Sequence, residues 1–109
     1  MDEGRAKTVE REVGSWPGVT VGDTGRGEMG FYYGGVELEH LHGDNFADLP
    51  FPKKVRDELI AKGRTSVHSP LPNSGWVRRR MEGPEDEEAV IGLFRENYDR
   101  AKARTERQA

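Results

Sequence analysis

Two adjacent glycines, Gly34 and Gly35, constrain the fold of this chain more than any other feature of its sequence. They separate residues 29–33, which are rich in aromatic side chains, from residues 36–42, and both segments have the composition of β-strands. Two glycines between two such segments are typical of a β-hairpin, because the tight turn needs positive φ angles that glycine adopts without strain. The sequence therefore predicts an antiparallel strand pair here.

The second strand of this hairpin ends in a cluster of potential ligand and proton-transfer groups. Residues 39–44 read Glu-His-Leu-His-Gly-Asp. Side chains alternate faces along a β-strand, so His40 and His42 are predicted to point the same way. Paired imidazoles beside a carboxylate such as Asp44 can hold a metal ion, move protons or bind an anion.

The composition limits the remaining possibilities. A chain of 109 residues has room for one domain with one modest core, and we take residues 1–109 as that domain. Apolar residues make up 33%, which is below the usual share of globular domains, but that share also counts glycine. With the 14 glycines included the composition is ordinary, so we expect a glycine-rich folded domain with a thin core. The net charge of -3 favours neither nucleic-acid nor membrane-surface binding. The absence of cysteine excludes disulfides, thiolate nucleophiles and cysteine-rich zinc sites.

Apolar periodicity and Gly/Pro breaks predict the other elements. They are a short helix carrying Ala6, Val9, Val13 and Trp16, strands at 19–21, 29–33 and 36–42, a loop at 43–52, a helix at 53–62, strands at 65–68 and 76–81, a helix at 85–104 and a frayed tail at 105–109. The order α-β-β-β-α-β-β-α indicates an α+β fold, in which about three helices pack against a single, mainly antiparallel sheet. No secretory or membrane-spanning segment is evident in the sequence, so we expect a cytoplasmic protein.

Several motifs resemble a family of small proteins labelled luciferase domain. In chain order they are His-Leu-His-Gly-Asp at 40–44, Ala-Asp-Leu-Pro-Phe-Pro at 47–52, Val-Arg-Asp-Glu-Leu at 55–59, His68 with Leu-Pro-Asn-Ser-Gly-Trp-Val at 71–77, and Leu-Phe-Arg-Glu-Asn-Tyr at 93–98. The resemblance implies that His68, Ser74 and Trp76 belong to the same pattern as the histidine pair. It implies a family name and not light emission, because the TIM barrel of flavin luciferases needs about 250 residues. More distantly, residues 74–77 and the last helix resemble small α+β proteins called YjbR-like, a group associated with DNA binding.

The histidines allow more than one chemical interpretation. His40, His42 and His68, with Asp44 beside them, have the residue types of a divalent metal site for catalytic zinc or non-haem iron. The spacing of His40, His42 and Asp44 also resembles the first ligand run of metallo-β-lactamase-like hydrolases, but that family continues with histidine where this chain has Asn45. Alternatively, the histidines are half-buried strand residues, because Val36 and Leu38 are expected to share the face of His40.

A metal-free pocket for a small ligand or an anion is a further possibility. The three histidines would contact the ligand, Ser74 would donate its hydroxyl group and Trp76 would form a wall. Asp44 is a further candidate ligand residue of this site. Alternatively, Asp44 and Asp48 each cap a turn through their own side chains, which is the common use of aspartate in loops.

The run of arginines at 78–80 suggests a different function. Arg78 and Arg80 are predicted to share a strand face with Trp76, an arrangement that can stack a nucleic-acid base and contact phosphates. The simpler interpretation is a solvated strand whose arginines pair with acidic residues such as Glu85 or Glu87. A third hypothesis is a domain without any ligand that forms a homodimer through exposed apolar surface on the sheet. We expect no membrane partner in any of these cases.

Overall fold

The computed structural model describes residues 4–68 and 70–108, and within them it contains one six-stranded sheet and three helices. In chain order the elements are α1 (Arg5–Gly14), β1 (Val19–Asp23), β2 (Met29–Tyr33), β3 (Val36–His42), β4 (Phe46–Pro50), α2 (Lys53–Ala61), β5 (Ser66–Val67), β6 (Trp76–Arg80) and α3 (Pro84–Gln108). The strand order is β1-β2-β3-β4-β6-β5, and each neighbouring pair is antiparallel. The predicted α+β class with a single antiparallel sheet is confirmed.

The predicted glycine hairpin connects β2 to β3. Gly34 and Gly35 have φ angles of 59° and 81°, in the left-handed region that favours glycine. Tyr33 and Val36 are paired directly on either side of the turn. This hairpin fixes the direction in which β3 carries the histidines across the sheet.

Residues 43–52, predicted as a loop, contain the strand β4, which lies between β3 and β6. The sequence does not predict this strand, because aspartate and proline are both depleted in β-sheets. Pro50 is tolerated at the last position of β4, and the carboxylate of Asp48 is matched by Arg78 on the neighbouring strand. The element order therefore gains one strand relative to the prediction.

Helix α3 supplies the largest part of the core. It begins one residue before the predicted start and continues to Gln108, four residues past the predicted end, whereas residue 109 of the predicted tail lies outside the described residues. The apolar face of α3 includes Val90, Phe94, Tyr98 and Ala101, all of which are buried, whereas Ile91 is partly exposed. None of the helices in the described part of the chain has an apolar stretch long enough to cross a membrane.

The helices leave much of one sheet face uncovered. Helix α3 packs across β2, β3, β4 and β6, and α1 packs against α3 and β1. Ala47, Leu49 and Val77 are completely buried in this layer. Because side chains alternate along a strand, their neighbours Asp48 and Arg78 project from the opposite face. The polar residues of interest lie on that second face.

Candidate functional site

Strand pairing aligns three polar residues in one row across the middle of the sheet. His40 on β3 is paired with Asp48 on β4, and Asp48 is paired with Arg78 on β6. Directly paired residues in antiparallel strands have their side chains on the same face and close together. The backbone register therefore brings an imidazole, a carboxylate and a guanidinium side by side.

All three histidines of the chain converge on one oxygen of Asp48. The Nε2 atoms of His42, His68 and His40 lie 3.0, 3.2 and 3.4 Å from Asp48 Oδ2. Arg78 donates from Nε to Asp48 Oδ1 over 2.8 Å and from Nη2 to Oδ2 over 3.0 Å. Asp48 is completely buried.

More nitrogen atoms surround Asp48 Oδ2 than this oxygen has lone pairs to accept hydrogen bonds. A carboxylate oxygen offers two lone pairs, and four side-chain nitrogens lie within 3.4 Å of this one. Separations of about 3.0–3.5 Å are also those between ligands that surround a common zinc ion at about 2.0–2.1 Å. The three imidazoles thus approach Asp48 Oδ2 at separations that neighbouring zinc ligands also have.

A second carboxylate, that of Glu28, reaches the same histidines from the turn before β2. Its Oε2 atom lies 3.3 Å from His42 Nε2 and 3.5 Å from His40 Nε2. Its other oxygen, Oε1, accepts hydrogen bonds from Thr24 and Arg26 over 2.8 and 3.0 Å. Glu28, His40 and His42 form a group of three side chains that can hold a metal ion, because one ligand atom from each lies within 4.8 Å of the others.

A β-bulge in β3 adds Glu37 to this face. The pairing with β2 shifts between Phe31 and Tyr32, so that Glu37 and Glu39 have partners on β2 and Leu38 is the extra residue between them. Leu38 therefore enters the core, where it is 2% exposed. The expectation that Leu38 and Val36 share the face of His40 is wrong, because both line a groove beside α3 on the other side of the sheet.

Glu37 sets the protonation pattern of His40. Its Oε1 atom lies 2.9 Å from His40 Nδ1, and an ionised carboxylate can only accept, so we assign the hydrogen to Nδ1. The Nε2 atom of His40 then faces the oxygens of Asp48 and Glu28 at 3.4 and 3.5 Å. Two lone pairs facing each other repel, so either a proton on Nε2 or a cation among these atoms makes the arrangement favourable. A carboxylate on the outer nitrogen of a histidine is also typical of metal-binding histidines.

The pKa shifts in the cluster follow from its charges. Burial opposes ionisation of Asp48, but hydrogen bonds from His40 and Arg78 outweigh it and hold the pKa of Asp48 far below its usual range. Burial also lowers the pKa of His40, but Asp48 and Glu37 raise it more, so the net pKa is raised. For Glu28, burial is outweighed by the Thr24 hydrogen bond and the neighbouring cations, and its pKa is lowered. Both carboxylates are therefore ionised at neutral pH, as metal ligands must be.

The cluster borders a cavity of about 430 Å³. Besides Glu28, Glu37, Asp48 and the three histidines, its walls are formed by Arg26, Pro70, Leu71, Trp76 and Arg78. The indole of Trp76 lies 5.2 Å from the ring of His40 and 6.0 Å from that of His68, measured between ring centroids. His68 is 7% exposed, and its Nδ1 atom is buried without a hydrogen-bond partner among the described residues.

Two of the candidate residues, Asp44 and Ser74, lie outside this cavity. Asp44 Oδ1 accepts a hydrogen bond of 2.8 Å from the backbone N–H of Ala6 and so caps the first turn of α1, whose own N-cap residue is a glycine. Ser74 Oγ donates to the carbonyl of Leu71 and accepts from the N–H of Trp76. The structure therefore groups His40, His42, His68 and Trp76, and assigns structural bonds to the other two. That the grouped residues bind a ligand stays a prediction.

The arginine run divides between the two faces of the sheet. Arg78 bonds Asp48, and its guanidinium lies 3.8 Å from the centroid of the Phe46 ring. Arg79 pairs with Asp86 in the first turn of α3, so the expected pairing with helix acids occurs, with Asp86 in place of Glu85 or Glu87. Arg80 is exposed. Arg78 is thus part of the histidine cluster, and nucleic-acid binding by this strand stays untested.

The sequence interpretation missed Asp48, Glu28 and Glu37 as site residues. A signal for Asp48 existed, because alternation within 46–50 places Phe46 and Asp48 on one face opposite the buried Ala47 and Leu49. Glu28 follows a glycine-rich turn, and Glu37 reaches the site only through the bulge, which the sequence pattern does not reveal.

Fold and site together define a small α+β domain with a histidine–carboxylate cluster on the open face of its sheet. A family model described as Luciferase domain matches residues 35–97, more than half of the chain. The chain therefore belongs to the luciferase-domain family, in agreement with the resemblance of its motifs. No curated protein and no solved structure matches it significantly, and the more distant resemblance to YjbR-like proteins stays a prediction.

Proposed function

We propose that this protein binds one divalent transition-metal ion through His40, His42 and Glu28. The observation that carries the proposal is the convergence of their ligand atoms, each within 4.8 Å of the others, on the wall of a cavity. Two imidazoles and one carboxylate are a known donor set for zinc with an open fourth position, and also for non-haem iron(II).

The supporting residues hold the ligand atoms in place before any ion arrives. Glu37 orients His40 through Nδ1, and Thr24 and Arg26 hold Oε1 of Glu28, which leaves Oε2 directed at the histidines. Such outer hydrogen bonds fix the orientation and protonation state of metal ligands. Asp48 contributes negative charge beside the ion, and the two hydrogen bonds from Arg78 keep the Asp48 carboxylate in position.

A bound ion removes the unfavourable features of the cluster. It would take the place of a proton on His40 Nε2 and would offset the negative charges of Glu28 and Asp48, which face that atom. The ligand set contains no sulfur, so zinc or iron(II) is favoured over copper(I). When bound, such an ion supplies a Lewis-acid centre at the cavity wall.

Titration of metal-free protein with Co²⁺ and Zn²⁺ tests this function. Cobalt is expected to bind with a stoichiometry of one and to give the visible absorption of a site with nitrogen ligands, and zinc is expected to displace it. The Glu28→Gln variant keeps the side-chain shape and should lose zinc affinity by more than the about 10–100-fold that loss of an outer partner causes.

The matched control is Glu58→Gln, at an exposed position of α2 that does not line the cavity. It should bind zinc as the wild type does. Failure of the wild type to bind either ion saturably at micromolar concentration would refute the proposal, as would equal affinity in Glu28→Gln and the wild type.

A further inference from the structure

The cavity beside the histidine cluster has an apolar wall as well as a polar one. Trp76, Pro70 and Leu71 line it together with the ionisable groups. Leu71 is 50% exposed, although large apolar side chains in the described part of this chain are mostly buried. Sites for small molecules combine such apolar walls with a few polar groups that orient the ligand. The cavity therefore has the features of a site for a molecule with two chemically different ends.

A metal ion makes the charge in this cavity more positive. Its lining contains three carboxylates, those of Glu28, Glu37 and Asp48, and two guanidinium groups, those of Arg26 and Arg78. A divalent ion bound among these groups adds positive charge to the lining. An anion is thus attracted more strongly after the metal binds than before.

We infer that the metal-loaded cavity binds a small organic carboxylate with a flat apolar body. This inference rests on the proposed metal site. The carboxylate group occupies the open position of the ion, and the apolar body packs against Trp76 and Leu71. The volume of about 430 Å³ lies toward the lower end of the range of about 300–1,000 Å³ for small-molecule sites, which suits a body of about one ring.

Neither end of such a molecule would bind well alone. A carboxylate without the apolar body interacts only with the ion, where it competes with water. An uncharged ring packs only against the apolar wall, which is partly open to solvent. An inorganic anion such as phosphate matches the charge but leaves the apolar wall unused. The combination of charge and apolar surface therefore selects for the organic acid.

Calorimetric titration of the zinc-loaded protein with four probes tests this inference. Benzoate carries both ends, acetate only the charged end, benzyl alcohol mainly the ring, and inorganic phosphate only charge. Benzoate is expected to bind at least about tenfold more tightly than each of the others, since it alone combines a carboxylate for the ion with a ring that packs against the indole. Metal-free protein is expected to bind benzoate at least about tenfold more weakly, because its cavity lacks the positive charge of the ion.

Two matched variants locate the apolar contact. Leu71→Ser should weaken benzoate binding about fivefold, because the exposed half of this leucine side chain is what the ring covers. Val67→Ser changes another exposed apolar residue, which does not line the cavity, and should leave benzoate binding unchanged. Neither residue is a metal ligand, so zinc affinity is measured separately in both variants as a control.

The outcomes separate this inference from the metal site. Zinc binding with equal affinities for benzoate and acetate, or with tighter binding of phosphate, overturns the organic acid and leaves the metal site intact. Equal affinity for benzoate with and without zinc overturns the dependence on the metal. Equal losses of benzoate affinity in Leu71→Ser and Val67→Ser overturn the assignment of Leu71 to the binding wall. If the protein does not bind zinc, both the proposed function and this inference are wrong.

Discussion

Replacing Glu37 by glutamine tests how the cluster prepares His40 for a metal ion. The carboxylate of Glu37 lies 2.9 Å from His40 Nδ1 and directs the lone pair of Nε2 toward the site. Loss of such an outer partner lowers metal affinity about 10–100-fold. The Glu37 side chain is 25% exposed, so water replaces part of the lost interaction, and we expect the lower end of that range. The expected loss is about tenfold, or about 1.4 kcal/mol of binding free energy.

The assay is a competition titration of zinc between the protein and a coloured chelator. It is run at one pH, about 7.5, for every variant. Glu58→Gln again serves as the control and should match the wild type. Wild-type zinc affinity in Glu37→Gln would show that His40 needs no outer carboxylate, and a similar loss in Glu58→Gln would show a general charge effect.

Four further perturbations follow from the same contacts. The raised pKa of His40 stabilises the folded protein below about pH 6.5, and this stability is lost as pH rises through the folded pKa. The Tm of metal-free protein should therefore fall as pH rises above about 6.5, while zinc affinity rises, and a rising Tm would contradict this. Asp48→Asn leaves the partly buried Arg78 without its counter-ion and should lower the free energy of unfolding by about 3 kcal/mol in urea titrations, and a loss below about 1 kcal/mol would disprove the pairing. Asp44→Ala should cost about 1 kcal/mol through the lost cap of α1 without altering zinc affinity. Burial raises the pKa of Glu39, so Glu39→Gln should stabilise the protein increasingly as pH rises from about 5 to 8, and an unchanged difference across that range would contradict the assignment.

The parts of the fold that depend on local sequence were predictable. Glycine fixes the hairpin at Gly34, and Gly63, with a φ of 72°, ends α2 as its position suggests. The alternation of β3 correctly places His40 and His42 together on one face. These features depend on one residue or one element at a time, so the sequence pattern contains enough information to predict them.

The composition of the site depends on strand pairing, which the sequence does not encode locally. Asp48 enters the cluster because β4 pairs with both β3 and β6, and Glu37 enters it because of the bulge at Leu38. Asp44 has the more prominent sequence position but bonds the start of α1, 38 residues away in the chain. Long-range pairing thus exchanged the roles expected for the two aspartates.

X-ray absorption at the zinc edge of protein loaded with one equivalent of zinc tests the central claim most directly. The metal site predicts nitrogen and oxygen ligands at about 2.0–2.1 Å, with the outer-shell scattering of two or more imidazoles. In Glu28→Gln the spectrum should change while Glu58→Gln reproduces that of the wild type. A spectrum without imidazole scattering, or an ion surrounded only by water, would contradict the assignment of His40 and His42 as metal ligands.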